Sequence, residues 1–187
     1  MKLLSVAIPC YNSEGYMRHC IETLLPGGED VEIIIVNDGS TKDNTAAIAD
    51  EYAAKYPTIV KAVHQENGGH GEAVNTGLKN ATGLYFKVVD SDDWVDAESY
   101  QKVLAKLNEL VREGKAVDMM LCNYVYEKQG AKHKRVVHYR SALSRPSFCP
   151  YVTYVALPTQ QSAQGLYDML SIFVAEAGLA PALIRGF

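Results

Sequence analysis

Four short apolar runs, each followed by a polar or glycine-rich loop and then a helical pattern, constrain this chain more than any other feature. The runs occupy residues 3–8, 31–36, 59–64 and 84–89. The second, Val-Glu-Ile-Ile-Ile-Val, is β-branched nearly throughout, as suits a buried strand. Between the runs, apolar residues recur at helical spacing. Met17, Ile21, Leu24 and Leu25 predict a helix over 14–25, with Asn12 and Ser13 as its caps and Pro26-Gly27-Gly28 as its end. An alanine-rich helix ends before Pro57, and a short one reaches about Asn80. Asp96 is placed to cap a longer helix whose Tyr100, Val103, Leu104, Leu107 and Val111 share one face, with Gly114 as its stop. Strand and helix alternating in this way imply a mostly parallel sheet with helices on both faces, joined by right-handed crossovers.

Beyond the fourth unit, residues 117–126 predict a fifth strand, which Gln129-Gly130 turns into a sixth near 135–140. Leu166, Leu170, Phe173, Val174 and Ala177 predict an amphipathic helix closed by Gly178. The expected organisation is therefore a core over 1–127 and a hairpin with a further segment over 128–187, packed on the same domain.

In a parallel sheet the four loops emerge at one edge, the carboxyl ends of the strands, where open α/β sheets place their ligands. They are Pro9-Cys10-Tyr11-Asn12, Asn37-Asp38-Gly39-Ser40, residues 67–71 and Asp90-Ser91-Asp92-Asp93. One such loop carries little information; four on one edge make a site. Asp90 and Asp92 flank Ser91 just past an apolar strand. Paired carboxylates suit a hard cation such as magnesium, which completes its shell with water and phosphate oxygens. Taken alone, Asp-Ser-Asp-Asp reads sooner as a solvated turn and helix cap; after a strand and beside three companion loops, the cation reading is favoured. Asp38 is placed to accept from a base N–H, Gly39 allows close approach, and Asp-Gly-Ser-Thr also supplies an Asx turn. Tyr11 is a stacking face or plain packing. Glycines 68, 69 and 71 free backbone N–H groups at a helix start, where phosphate is favoured.

These segments resemble the successive motifs of the family-two glycosyltransferases. They are Val6-Ala7-Ile8-Pro9-Cys10-Tyr11-Asn12, Ile34-Ile35-Val36-Asn37-Asp38-Gly39-Ser40-Thr41-Lys42-Asp43-Asn44-Thr45, Gln65-Glu66-Asn67-Gly68-Gly69 with Asn75, and Val89-Asp90-Ser91-Asp92-Asp93-Trp94. Order and spacing match over about two-thirds of the chain. The resemblance implies a three-layer, Rossmann-like GT-A domain. It also implies inverting transfer of a sugar from a nucleotide donor, usually a UDP-sugar, to an acceptor hydroxyl. By position, Pro9, Tyr11, Asn12, Asp38, Gly39 and Ser40 belong to the nucleoside region. Asn67, Gly68 and Gly69 lie near the donor. Asp90 faces the ribose and metal region, Ser91 belongs to the nucleotide-sugar site, and Asp92 is the principal ligand of Mg2+ or Mn2+ beside Asp90. Many relatives place an arginine or lysine in the helix after Asn-Gly-Gly; Glu72-Ala73-Val74-Asn75 has none.

Relatives also supply a general base from an acidic motif after the hairpin. From residue 141 onward only Arg145, Asp168, Glu176 and Arg185 are charged, and neither acid sits in a matching context. No general base is assigned, and the expectation is a truncated or altered terminus beyond about residue 140, lacking the acceptor half. A non-catalytic nucleotide-sugar-binding module therefore stands beside the enzyme as an alternative. A dinucleotide-dependent oxidoreductase is set aside, because Pro-Cys-Tyr-Asn-Ser-Glu-Gly replaces G-x-G-x-x-G after the first strand.

Composition agrees. Hydrophobic residues make up 48% and charged residues 21% of 187, with net charge −4, so no cationic field argues for nucleic acid. Cysteines 10, 20, 122 and 149 form no C-x-x-C pair, and Cys10 and Cys122 read as core thiols of a reducing cytosol. No signal peptide is evident, and no apolar stretch approaches about 18 residues. The expected setting is cytoplasmic, or peripheral at a membrane, in cell-wall or polysaccharide synthesis, with a saccharide, lipid-linked or protein acceptor. Lys128, Lys132, Lys134, Arg135 and Arg140, with His133 and His138, read as a solvated hairpin before an anionic-surface contact. Trp94 is expected to pack beneath the aspartate loop, and His64 and His70 to lie near the cleft without the spacing of metal ligands.

Overall fold

The computed structural model describes residues 1–115, 119–126, 134–137, 155–156 and 172–175. Strands β1 (Leu4–Cys10), β2 (Val31–Asp38), β3 (Val60–Gln65) and β4 (Tyr85–Val88) are mutually parallel, in spatial order β3-β2-β1-β4. Every residue of β1 is buried, which is why its sequence runs apolar without alternation. Helices α1 (Met17–Leu24), α2 (Thr45–Lys55) and α3 (His70–Asn80) form the connections, and α4 (Ala97–Arg112) follows the fourth strand. The larger core gathers Met17, Ile21, Ile48, Tyr52, Tyr100 and Leu107 from three helices over Val6, Ile8, Ile33 and Ile35. A smaller cluster joins Ala73 of α3 to Ile34 and Val36. The sheet thus carries helices on both faces, as the alternation predicted.

Several local expectations are corrected. The first helix begins at Met17, and neither Asn12 nor Ser13 caps it with a side chain. Asn12 takes φ +50°, and the Ser13 carbonyl accepts from the N–H groups of Tyr16 and Met17, both at 3.0 Å. Both side chains are spent on links between loops, described below. The α-helix does close at Leu24, just before Pro26-Gly27-Gly28, and a 3-10 stretch over Leu25–Asp30 follows, with Gly28 at φ +59°. Pro9 lies within β1 rather than ending it. Pairing with β4 stops at Ala7, so the missing N–H of Pro9 leaves no gap on that side. Asp96 does cap α4, its side chain accepting from Ser99 N–H at 2.9 Å, but Leu110 is buried on the inner face and Val111 is exposed.

The predicted fifth strand is two. Strand β6 (Met119–Leu121) belongs to the large sheet. Strand β7 (Tyr124–Tyr126) pairs with β8 (Arg135–Val137) and β9 (Val155–Ala156) in a smaller sheet that also holds β5 (Trp94–Val95). The chain changes sheets across Cys122-Asn123, a step that an unbroken apolar run does not mark. The amphipathic helix predicted around Phe173 is also replaced, over Ile172–Ala175, by strand β10, antiparallel to both β4 and β6. Ile-Phe-Val suits a strand between two others, and a short apolar run has no period that separates strand from helix. Asp168, Glu176, Cys149 and most of the basic stretch lie outside the described residues; Lys134 and Arg135 are exposed. Among the described residues no helix is long and apolar enough to cross a membrane.

Close packing of α3 on the sheet depends on Gly77, where a Cβ would come within 2.5 Å of the Ala7 Cβ. Gly77→Ala gains about 1 kcal/mol of helix propensity but meets an overpacking cost of roughly 1–3 kcal/mol. A net loss of stability is expected, measured by urea unfolding.

Candidate functional site

The four loops at the carboxyl ends of β1 to β4 form one continuous hydrogen-bonded system. The loops after β1 and β2 are zipped together. Asn12 N–H donates to Ser40 Oγ at 2.9 Å, and Asn12 Oδ1 accepts from Thr41 and Lys42 N–H. Ser13 N–H donates to Thr45 Oγ1 at 2.7 Å. At the exposed edge, Glu14 accepts from both Asn44 nitrogens, and these bonds hold its carboxyl below its ordinary range. Tyr11 is left projecting, 50% exposed, with its N–H tied to Ser13 Oγ.

Asp38 joins the second loop to the third. It is 3% exposed, and its carboxylate accepts from Gln65 Nε2 at 2.7 Å, Gly68 N–H at 2.8 Å and Gly69 N–H at 2.9 Å. Asn67 Nδ2 donates to the Asp38 carbonyl. Gly39, at φ +68°, lets this contact close: a Cβ there would sit 2.7 Å from the Asn67 nitrogen. Gly39 thus allows a close approach between the loops after β2 and β3.

The third loop meets the fourth through His70, whose Nε2 lies 2.8 Å from Asp90 Oδ1. The fourth returns to the first through Ser91 Oγ, 2.9 Å from Ser13 Oγ. From beneath, Cys20 Sγ contacts the Asp90 carbonyl at 3.5 Å, and Asp93 N–H closes a turn onto the same carbonyl at 2.9 Å. Asp92 opens to solvent, yet surrounding atoms desolvate it enough to raise its pKa; the charge of Asp90 adds to the rise and His70 offsets part of it. Two carboxylates side by side, one of them reluctant to ionise, are the electrostatic setting that a divalent cation relieves. Among the described residues no three His, Cys, Asp or Glu side chains are grouped to hold a metal on their own. The donor set fits a magnesium- or manganese-type ion that draws its remaining ligands from water and phosphate.

The structure thus brings together Tyr11, Asn12, Asp38, Gly39, Ser40, Asn67, Gly68, Gly69, Asp90, Ser91 and Asp92 along one rim. Pro9 lies just behind, buried in β1. His64 is turned to the flank, between Asn37 Nδ2 at 3.1 Å and Asp50 Oδ1 at 3.0 Å. Trp94 leans on α1, its ring 5.2 Å from that of His19. Cys10, Cys20 and Cys122 are buried cysteines, and burial pushes the Cys10 thiol up to about 12. Ser13, Gln65 and His70 were not singled out as site residues. Their roles are contacts between loops, for which a linear sequence carries no period or motif.

A sequence model of the family described as "Glycosyl transferase family 2" matches residues 5–150. The chain belongs to glycosyl transferase family 2. Among its relatives in the family are EpsH of Bacillus subtilis (strain 168), 39% identical over 125 residues, and the glycosyltransferase GlyG of Streptococcus pneumoniae serotype 4, 38% identical over 125 residues. Each alignment covers 66% of this chain but only 34% and 39% of the respective relative, so the chain spans little more than a third of their length. The fold resembles S. aureus TarS 1-349 with a TM-score of 0.65 at 25% identity, over 97% of this chain and 49% of that one. TarS 1-349 in complex with UDP-GlcNAc superposes with a TM-score of 0.56 at 31% identity, over 71% of this chain and 37% of that one.

The Asp38 link is directly testable. Hydrogen bonds to a charged group contribute about 1.5–3 kcal/mol each. Asp38→Ala is therefore expected to speed amide hydrogen exchange at Gly68 and Gly69 by on the order of tenfold or more, read by NMR.

Proposed function

We propose that residues 1–127 form the donor half of a glycosyltransferase that moves a sugar from a UDP-sugar to an acceptor hydroxyl with inversion. The observation that carries this reading is the closed circuit of contacts linking all four loops, in a family whose relative TarS has been solved with UDP-GlcNAc. In this reading Tyr11, exposed beside the loop after β2, is the face on which the base stacks. Asp38, Gly39 and Ser40 shape the nucleoside pocket, with Asp38 acting largely through the loop it restrains. The start of α3 has no side-chain cap, so its first N–H groups are suited to meet the diphosphate without a basic residue in Glu72-Ala73-Val74-Asn75.

Asp90 and Asp92 would hold Mg2+ or Mn2+, which supplies charge neutralisation for the departing diphosphate. In the transfer, the acceptor oxygen forms a bond to the anomeric carbon on the face opposite the diphosphate. The bond from that carbon to phosphate oxygen breaks, UDP carries away the electron pair, and the acceptor proton passes to a base. No described residue of this rim is placed to be that base. Because the chain spans about a third of its curated relatives, a donor-binding module is the second reading. Binding of UDP with neither transfer nor donor hydrolysis would favour it.

Calorimetric titration of UDP with and without Mn2+ tests the site. Asp92→Asn should weaken manganese-dependent binding by on the order of tenfold or more, while unchanged affinity would remove Asp92 from the cation site. The same variant should unfold at a slightly higher temperature without metal. A raised carboxyl pKa means that the ionised form is disfavoured in the folded state, so at neutral pH this charge lowers stability and its removal restores it. Proton and cation also compete for Asp92. Manganese-dependent binding should therefore decline on acidification from a higher pH than an ordinary aspartate would give.

A further inference from the structure

Strand β4 carries a lysine where its inward neighbours are apolar. Tyr85 and Val89 both enter the larger core, and Lys87 alternates onto the same face between them, opposite Val6 in the register with β1. Lys87 is 6% exposed. An ammonium group in such a position is costly unless counter-charges lie close by. Burial lowers the pKa of Lys87, and the Cys122 sulfur with the carboxylates of Asp93 and Asp90 act in the opposite sense.

The acids of the fourth loop divide in a way that matches this. Asp92 is exposed and the Asp90 side chain is 25% exposed, but Asp93 is 2% exposed. Asp93 is also the residue whose N–H closes the turn onto the Asp90 carbonyl. Two carboxylates therefore reach solvent while the third is buried, as Lys87 is, and its charge acts on the Lys87 ammonium. Without an inward anchor, three acids within four residues would repel one another and splay the turn.

We propose that Lys87 is a positioning residue of the donor site, a core cation that anchors Asp93 from below and so fixes the turn presenting Asp90 and Asp92. It rests on the donor-site reading for its purpose, but the anchoring itself is independent of any ligand. Lys87 touches neither sugar nor phosphate in this scheme. Its effect passes through the backbone of the turn.

Two readouts test it. Hydrogen exchange at the amides of Ser91, Asp92 and Asp93 is measured without ligand in Lys87→Met, Asp93→Asn and the double variant. Each single change should speed exchange at Asp93 about tenfold or more, and the double variant should add little to either. Calorimetry of UDP with Mn2+ should then show weaker binding in Lys87→Met, partly regained in the double variant. Asp93→Asn reaches the pair from the loop side, so it decides the matter even if Lys87→Met fails to fold. Turn amides exchanging at the parent rate in Asp93→Asn, or strictly additive effects, would overturn the proposal. So would parent-like Mn2+-dependent UDP binding in a folded Lys87→Met. Failure of the parent chain to bind UDP would instead defeat the donor-site reading, with the exchange result still judging the anchor.

Discussion

The carboxylate of Asp38 holds two loops that are otherwise separated by an entire strand and helix. Standing at the end of β2, it is almost wholly buried and accepts from Gln65 and from the consecutive amides of Gly68 and Gly69. A buried carboxylate without such donors would be strongly unfavourable, so the loop after β3 has to lie across it. Gly39 leaves room for this, and from Gly69 the chain enters α3 with His70 pointing at Asp90. A short series of contacts thus joins Asp38 to Asp90.

The parallel register makes such a series possible. With β1 flanked by β2 and β4 and all three running one way, their following loops emerge within reach of one another. Ser13 then bonds to Thr45 through its backbone N–H and to Ser91 through its hydroxyl, so one residue links segments far apart in sequence. Negative charge is gathered on this rim by Asp90, Asp92 and Asp93, and the fold tolerates it through His70 above and Lys87 below. A cation and diphosphate would complete a balance that the protein alone leaves tilted.

Much of this was legible from the residues. Runs of β-branched and apolar side chains mark β1 to β4, the Asp96 cap and Gly114 bound α4, and the four polar loops were recognised as one rim. What escaped reading is tertiary in origin. Asn12 and Ser13 look like helix caps, since a capping side chain and a cross-loop side chain have the same chemistry in a linear string. The passage from β6 to β7 is hidden inside one apolar run, and β10 has a strand's residues within a helix's spacing. His70 lacks metal-ligand spacing, and only the fold shows that Asp90 is its partner.

The most direct test of a shared donor site is chemical-shift mapping by NMR with UDP and Mg2+. Amides in all four loops, around Tyr11, Ser40, Gly69 and Asp92, should shift together and saturate along one binding curve. Shifts confined to a single loop, or clustered on another face of the sheet, would contradict the account.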